Sequence, residues 1–171
     1  MSRHLLLLRH AKSDWSTGIS NDFDRPLARR GQKATRRMAV WLLQYRISPD
    51  YVVCSSAART RQTVELLFET WMNPPTVEYR DDLYLADVTT MLTVLAVCGG
   101  DHSKVMLVGH NPGCEELTRY LGRPDDLTGT PEKLIPTGTC VHFAFDNDWQ
   151  TMSKHCANST VITRPRELSR P

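Results

Sequence analysis

Close cysteine pairs are absent from this chain. Its five cysteines, Cys54, Cys98, Cys114, Cys140 and Cys156, stand far apart, without the short spacing that zinc sites use, and are expected as reduced residues of core or helix. A large charge of either sign is also missing. Against 21 Lys and Arg stand 19 Asp and Glu, a net charge of +2, which excludes the broad electrostatic footprint of a nucleic-acid binder. No apolar run approaches the ~20 residues of a membrane span. The leucines Leu5 to Leu8 are cut short by Arg9, His10 and Lys12, too early for a secretory signal. A cytoplasmic protein without membrane or nucleic-acid partners is the expectation. Internal repeats, low-complexity tracts and linkers are lacking too, and 171 residues suffice for a single domain, 1–171, with a sizeable core.

What the chain does have is a regular alternation of short apolar runs and amphipathic stretches. His4 to Leu8 is too short and too apolar for a solvent-facing strand and fits a central one. From Leu27 a stripe through Gly31, Ala34, Met38, Trp41, Leu42 and Tyr45 has helical spacing, with a stop expected near Ser48-Pro49. Tyr51 to Cys54 reads as a second buried strand, and Ser55 or Ser56 as the cap of a helix with Val64, Leu67, Phe68 and Trp71 inward. Thr76 to Tyr79 is a short strand. Val88, Met91, Leu92, Leu95 and Cys98 mark a helix closed by Gly99-Gly100. Strand Lys104 to Gly109 follows, then a helix begun by Asn111-Pro112, with Asn as cap and Pro in the first turn, that buries Leu117, Tyr120 and Leu121. The stretch 122–138 has three prolines and no periodicity, and is expected as a rim of a functional site. Thr139 to Phe145 alternates like a strand, with a hairpin partner near Trp149 to Met152. The basic tail from Arg164 is expected to be solvated. This order implies an α/β fold: a mostly parallel central sheet with helices on both faces.

Two strands, His4 to Leu8 and Lys104 to Gly109, run directly into histidines, His10 and His110, and Arg9 stands beside the first. In open α/β sheets ligands bind beyond the carboxyl ends of the strands. Arginine offers a permanent charge and a planar fork of donors for phosphate oxygens, while histidine titrates near neutrality. Adjacent residues at a strand end cannot both point inward by alternation, so Arg9 and His10 are expected to leave the pleat there. Arg59 falls in a first helical turn, where the macrodipole disfavours a cation by roughly 0.3–1 kcal/mol. A bound anion reverses that sign, since helix N-termini are themselves anion sites. Arg9, His10, Arg59 and His110 are therefore expected to converge on one phosphate.

In order along the chain, LLLLRHAKSDW, DRPLARRGQKA, SSAARTRQT, LYLAD, VMLVGHNPG and the closing TRPREL resemble the motifs of the histidine phosphatase superfamily, and most of all its SixA-type phosphohistidine phosphatases. The resemblance covers nearly the whole chain. It implies a phosphoglycerate mutase-like three-layer sandwich and a phosphatase that works through a phosphohistidine enzyme intermediate. His10 is then the nucleophile, Arg9, Arg59 and His110 form the phosphate pocket, Ser13 and Arg25 contribute to substrate binding, and no metal or other cofactor is required. The implied substrate is a phosphorylated protein of histidine-phosphotransfer or phosphotransferase-system type. The alternatives are a small phosphoester or, from another class, phosphate binding without catalysis.

One departure bears on the substrate. Larger phosphomonoesterases of this superfamily carry a glutamate acid where Tyr84 stands in DDLYLAD. Asp81, Asp82 and Asp87 are the substitute candidates. Alkoxide leaving groups need that proton, whereas a protonated phosphoimidazole leaves as a neutral ring. CSSAAR places four residues between Cys54 and Arg59, one short of a cysteine-phosphatase loop, so Cys54 reads as a small buried hydrophobe. His4, His102, His142 and His155 have no metal-site context. Arg29, Arg30, Arg36 and Arg37 are expected on the outward face of a helix, and Arg25 as a residue orienting the site loop. Lys12, Ser13 and Asp14 contact substrate or shape a turn, and Trp15 covers the pocket or anchors its loop. Gly31 is expected to permit close packing.

Overall fold

A computed structural model describes residues 2–16, 18–128 and 133–168. Four strands form the parallel body of the sheet: β1 (Arg3–Arg9), β2 (Tyr51–Ser55), β3 (Thr76–Arg80) and β4 (Lys104–Gly109). They lie in the order β3-β2-β4-β1, and β5 (Cys140–Phe145) and β6 (Ser159–Thr163) complete the sheet beside β1. β5 runs antiparallel to both β1 and β6, so five of the six strands share one direction.

Alternation along the buried strands divides the core in two. Leu5, Leu7, Val105 and Leu107 pack on one face with Met91, Leu95, Leu117 and Leu121 of α3 (Val88–Cys98) and α4 (Gly113–Leu121). Leu6, Leu8, Met106 and Val108 pack on the other with Met38, Leu42, Val64 and Leu67 of α1 (Arg29–Gln44) and α2 (Ala58–Phe68). Strands buried on both faces need no polar alternation, and each fully buried leucine contributes roughly 1.5–3 kcal/mol. The result is the expected helix–sheet–helix sandwich. No described helix is long and apolar enough to cross a membrane.

Several local expectations are corrected. α1 stops at Gln44, where Arg46 takes a left-handed φ of 55° and Ile47 N–H bonds back to the Leu42 carbonyl. Thr35 and Ala39 share its buried stripe, whereas Tyr45 is exposed. Residues Trp149–Thr151 form a 3-10 turn rather than a strand, because Trp149 is buried against Phe145 and bonds the His102 carbonyl. The hairpin partner of β5 is β6 instead. The tail does not begin in solvent at Arg164, which is buried and donates to the Leu134 carbonyl and to Glu167.

Candidate active site

Because β4 lies between β2 and β1, the carboxyl ends of three neighbouring parallel strands open on one place. Arg9 closes β1 opposite Gly109 of β4, and the next residue on each strand is a histidine. The chain leaves the pleat at His10 while its N–H still bonds the Gly109 carbonyl at 3.0 Å. The turn that follows is gripped from both sides. Ala11 N–H donates to Thr63 Oγ1 of α2, and Gly138 N–H donates to the carbonyls of Arg9 and His10. Gly138 has a φ of +79°, and its position before β5 calls for a residue free in that region.

His10 Nδ1 donates to the Ala11 carbonyl at 2.7 Å, which fixes the tautomer and leaves a lone pair on Nε2. Arg59 Nε points at that Nε2 from 3.4 Å, and the His110 ring lies with its centroid 5.2 Å away. Burial, aided by Arg59 and Arg9 against the opposing bond to Ala11, pushes His10 down to about 3. His110 is pushed down to about 3 by burial and then by His10 and Arg59. Both rings are therefore neutral at physiological pH. His110 Nε2 meets Ser55 Oγ at 2.8 Å. Among the described residues its Nδ1, like Arg9 Nε, is buried without a partner, and leaving such atoms unpaired costs ~1–3 kcal/mol each. An anion in the cavity would give them one.

Arg9 is fixed by donation to the Ile135 carbonyl at 2.8 Å. Arg59 is held by Asp22, through its carbonyl at 2.6 Å and its carboxylate at 2.9 Å. The same carboxylate takes Arg25 and the Tyr84 hydroxyl, the latter at 2.7 Å, and Arg25 also donates to Ser13 Oγ. Tyr84's hydrogen bond, then the two arginines, hold Asp22 well below the usual carboxylate range. The Arg25 guanidinium lies 3.6 Å from the centroid of the exposed Trp15 ring.

All six residues expected at the site, Arg9, His10, Ser13, Arg25, Arg59 and His110, line one cavity of about 290 Å³, with Lys12 and Trp15 at its edge. Gly31 lies against this loop, where a Cβ would sit 2.1 Å from the Lys12 carbonyl oxygen. The three candidate acids are elsewhere. Asp81 accepts from Ser56, Asp82 pairs with Arg80, and Asp87 caps α3 through Thr90 N–H. Neither serine caps α2, since Ser55 turns to His110 and Ser56 to Asp81. Asn111 caps nothing either, its amide donating to the Ile135 carbonyl. Of the 122–138 stretch, 124–127 forms a 3-10 turn and Thr137 lines the cavity, while 129–132 lies outside the described residues. Cys54 is buried in the core, and burial raises its thiol far above the reactive range. Sequence reasoning missed Asp22, Ser55 and Asn111. The signals were an acid three residues before Arg25, and polar residues at the end of β2 and directly after His110.

Residues 5–84 match the histidine phosphatase superfamily (branch 1). An uncharacterised protein of Mycobacterium tuberculosis H37Rv is 31% identical over 166 residues, which span 93% of this chain and 100% of that one. Among solved structures, a protein of Nakamurella multipartitia provisionally assigned as phosphohistidine phosphatase SixA is 30% identical, covers 96% of this chain and 97% of its own, and gives a TM-score of 0.82. A similarly assigned protein of Agrobacterium tumefaciens is 27% identical, with 95% and 99% covered and a TM-score of 0.78. Fold and site together define the class, a phosphatase. The chain belongs to the histidine phosphatase superfamily, in its SixA-type group.

Proposed function

We propose that this phosphatase hydrolyses phosphohistidine on a signalling or phosphotransfer protein through a phosphoenzyme formed on His10. The observation that carries the reading is the imidazole oriented by Ala11, whose unprotonated Nε2 accepts only a long hydrogen bond, 3.4 Å, from Arg59 Nε. In the first step Nε2 forms a bond to phosphorus in line with the leaving imidazole, whose single N–P bond breaks while its other ring nitrogen carries a proton taken from water, so that it leaves as a neutral ring. Negative charge spreads over three equatorial oxygens. Arg9, Arg59 and His110 are already placed to stabilise it without reorganising, with Arg25 and Ser13 at the edge. His110, accepting Ser55's hydroxyl proton at Nε2, offers a neutral Nδ1–H donor. Water then attacks the phosphorus on His10 and regenerates the free ring.

The choice of leaving group follows from the acids. Asp22 is the one carboxylate lining the cavity among the described residues, and Tyr84 and two arginines keep it ionised. It has no proton to give an alkoxide, whereas phosphoimidazole is basic enough to take one from water. The test is phosphate release from a phosphohistidine-bearing carrier protein beside an aryl phosphate, with acid quenching to trap phosphoenzyme. Expected are turnover of the carrier and an acid-labile, alkali-stable phosphoenzyme, with turnover reduced at least about 10³-fold in His10→Ala and the intermediate lost. Turnover of the ester alone would reassign the substrate to a small phosphoester. Phosphate binding without turnover of either would make this a binding domain.

A further inference from the structure

A second cavity of about 590 Å³ adjoins the first, and Lys12 and Thr137 line both. Its walls come from the site loop, the exposed face of α1 and the segment after β6. Lys12, Arg29, Arg30, Lys33, Arg37 and Arg166 line it, with the buried Arg164 behind, and no carboxylate among the described residues does. In a chain whose net charge is only +2, seven cations on one groove are a marked segregation. Among the described residues only Arg164 and Arg166 have an acidic partner, and they share Glu167.

Three further features indicate that the groove takes an anion. α1 has no acid in its first turn and no side-chain cap. Arg29 and Arg30 occupy that turn instead, against the helix dipole, an arrangement that a bound anion reverses. The cations are also spread out. Arg29 and Arg37 lie about 12 Å apart along the helix axis, and Arg29, Arg30 and Lys33 are exposed. A compact polyphosphate calls for cations converging on one point, as Arg9 and Arg59 do in the neighbouring cavity. An extended row matches carboxylates distributed along a polypeptide.

We infer that this groove docks an acidic segment flanking the phosphorylated residue of the protein substrate, and so sets substrate choice for the adjoining site. The inference rests on the phosphohistidine reading and adds the chemistry of the partner. Rim charges of this kind act on encounter and affinity rather than on the chemical step.

The test uses two synthetic peptides of equal length with one central phosphohistidine, flanked by glutamates in one and glutamines in the other, beside phosphoramidate as a substrate too small to reach the groove. Wild type is expected to show a KM for the glutamate peptide about tenfold below that for the glutamine peptide at low salt, the sum of three exposed ion pairs. Arg30→Gln/Lys33→Gln/Arg37→Gln abolishes the preference and leaves kcat and phosphoramidate turnover unchanged, and Lys33→Gln alone gives part of the shift. Equal KM values in wild type, or a preference that survives the triple substitution, would overturn the inference. Should phosphoramidate and both peptides resist hydrolysis, the catalytic reading fails. The groove is then judged by fluorescence anisotropy with the unphosphorylated peptides: tighter binding of the glutamate peptide, lost in the triple variant, supports it, and equal binding sinks it. A nucleoside triphosphate that binds wild type more tightly than the glutamate peptide, and loses that affinity in the triple variant, would replace the acidic segment with a polyphosphate ligand.

Discussion

Asp22 places a negative charge inside a cavity built for anions. Its carboxylate holds Arg25 and Arg59 and accepts the Tyr84 hydroxyl, so it keeps both guanidinium groups aimed and partly neutralised until a phosphoryl group arrives. Being half-exposed, it acts through a fairly high effective dielectric, and its repulsion of a bound phosphate amounts to about three- to tenfold in affinity. Asp22→Asn is accordingly expected to tighten inorganic phosphate by that factor, read as the inhibition constant against phosphoramidate, while kcat falls as Arg59 loses its anchor. Weaker phosphate binding in the variant would mean that orienting the arginines outweighs the repulsion. The residue was illegible in the sequence for a physical reason. Arg9, His10, Arg59 and His110 stand where apolar runs end or a helix begins, and those boundaries can be read locally. Asp22 sits in a short 3-10 turn, and only folding brings it to Arg59 and Tyr84, far along the chain. Tyr84 is legible in the sequence only as a departure from a glutamate pattern; its donation to Asp22 is a product of the fold.

Strands proved more legible than caps, and the difference lies in what competes for the residues. A buried strand such as β4 is set by a run of Val, Met and Leu with nothing else to do, and it spans Lys104–Gly109 as read. Cap residues at the site end have another claimant. Ser55 bonds His110 and Asn111 bonds Ile135, so α2 and α4 begin without a side-chain cap; α1 follows Ala28, which has none to give, and α3 alone among the four helices has one, from Asp87. Local preference thus yields to function where function is built. α1 makes one of the tightest contacts in the fold with the loop after β1. At Gly31 an added Cβ would meet the Lys12 carbonyl oxygen at 2.1 Å and its nitrogen at 2.9 Å, both backbone atoms with no flexible end to move. Ala28 N–H also bonds that carbonyl, at 2.9 Å. Gly31→Ala should therefore push the loop off the helix, costing about 1–3 kcal/mol in urea unfolding and lowering kcat, since His10 lies two residues upstream. A variant with unchanged kcat would show that α1 does not position the loop.

Three layers allow a sheet end to be both dry and charged, and that combination links catalysis to the stability of the whole molecule. The layers exclude water from His10 and His110, hold both rings neutral with values pushed down to about 3, and do the same to His142 in the sheet, at about 4. Unfolded, each ring returns to ~6.5. Between these values the unfolded chain binds protons that the native state refuses, so stability is fully present above pH ~6.5 and is lost as the pH falls toward 3. Each histidine contributes a slope of up to about 1.4 kcal/mol per pH unit. His10 and His110 together should then cost up to about 4 kcal/mol between pH 6.5 and 5, measured by urea unfolding, and His10→Ala should remove its half of that slope. Inorganic phosphate supplies the opposing test. An anion between the two rings favours their protonated forms, so a fixed phosphate concentration should stabilise the wild type more at pH 5 than at pH 7, and His10→Ala should lose much of the difference. Stability that stays flat from pH 7 to 5, or a phosphate effect independent of pH, would show that burial does not hold these histidines neutral, and His10 would then lose its lone pair to protonation in a growing fraction as the pH falls below ~6.5.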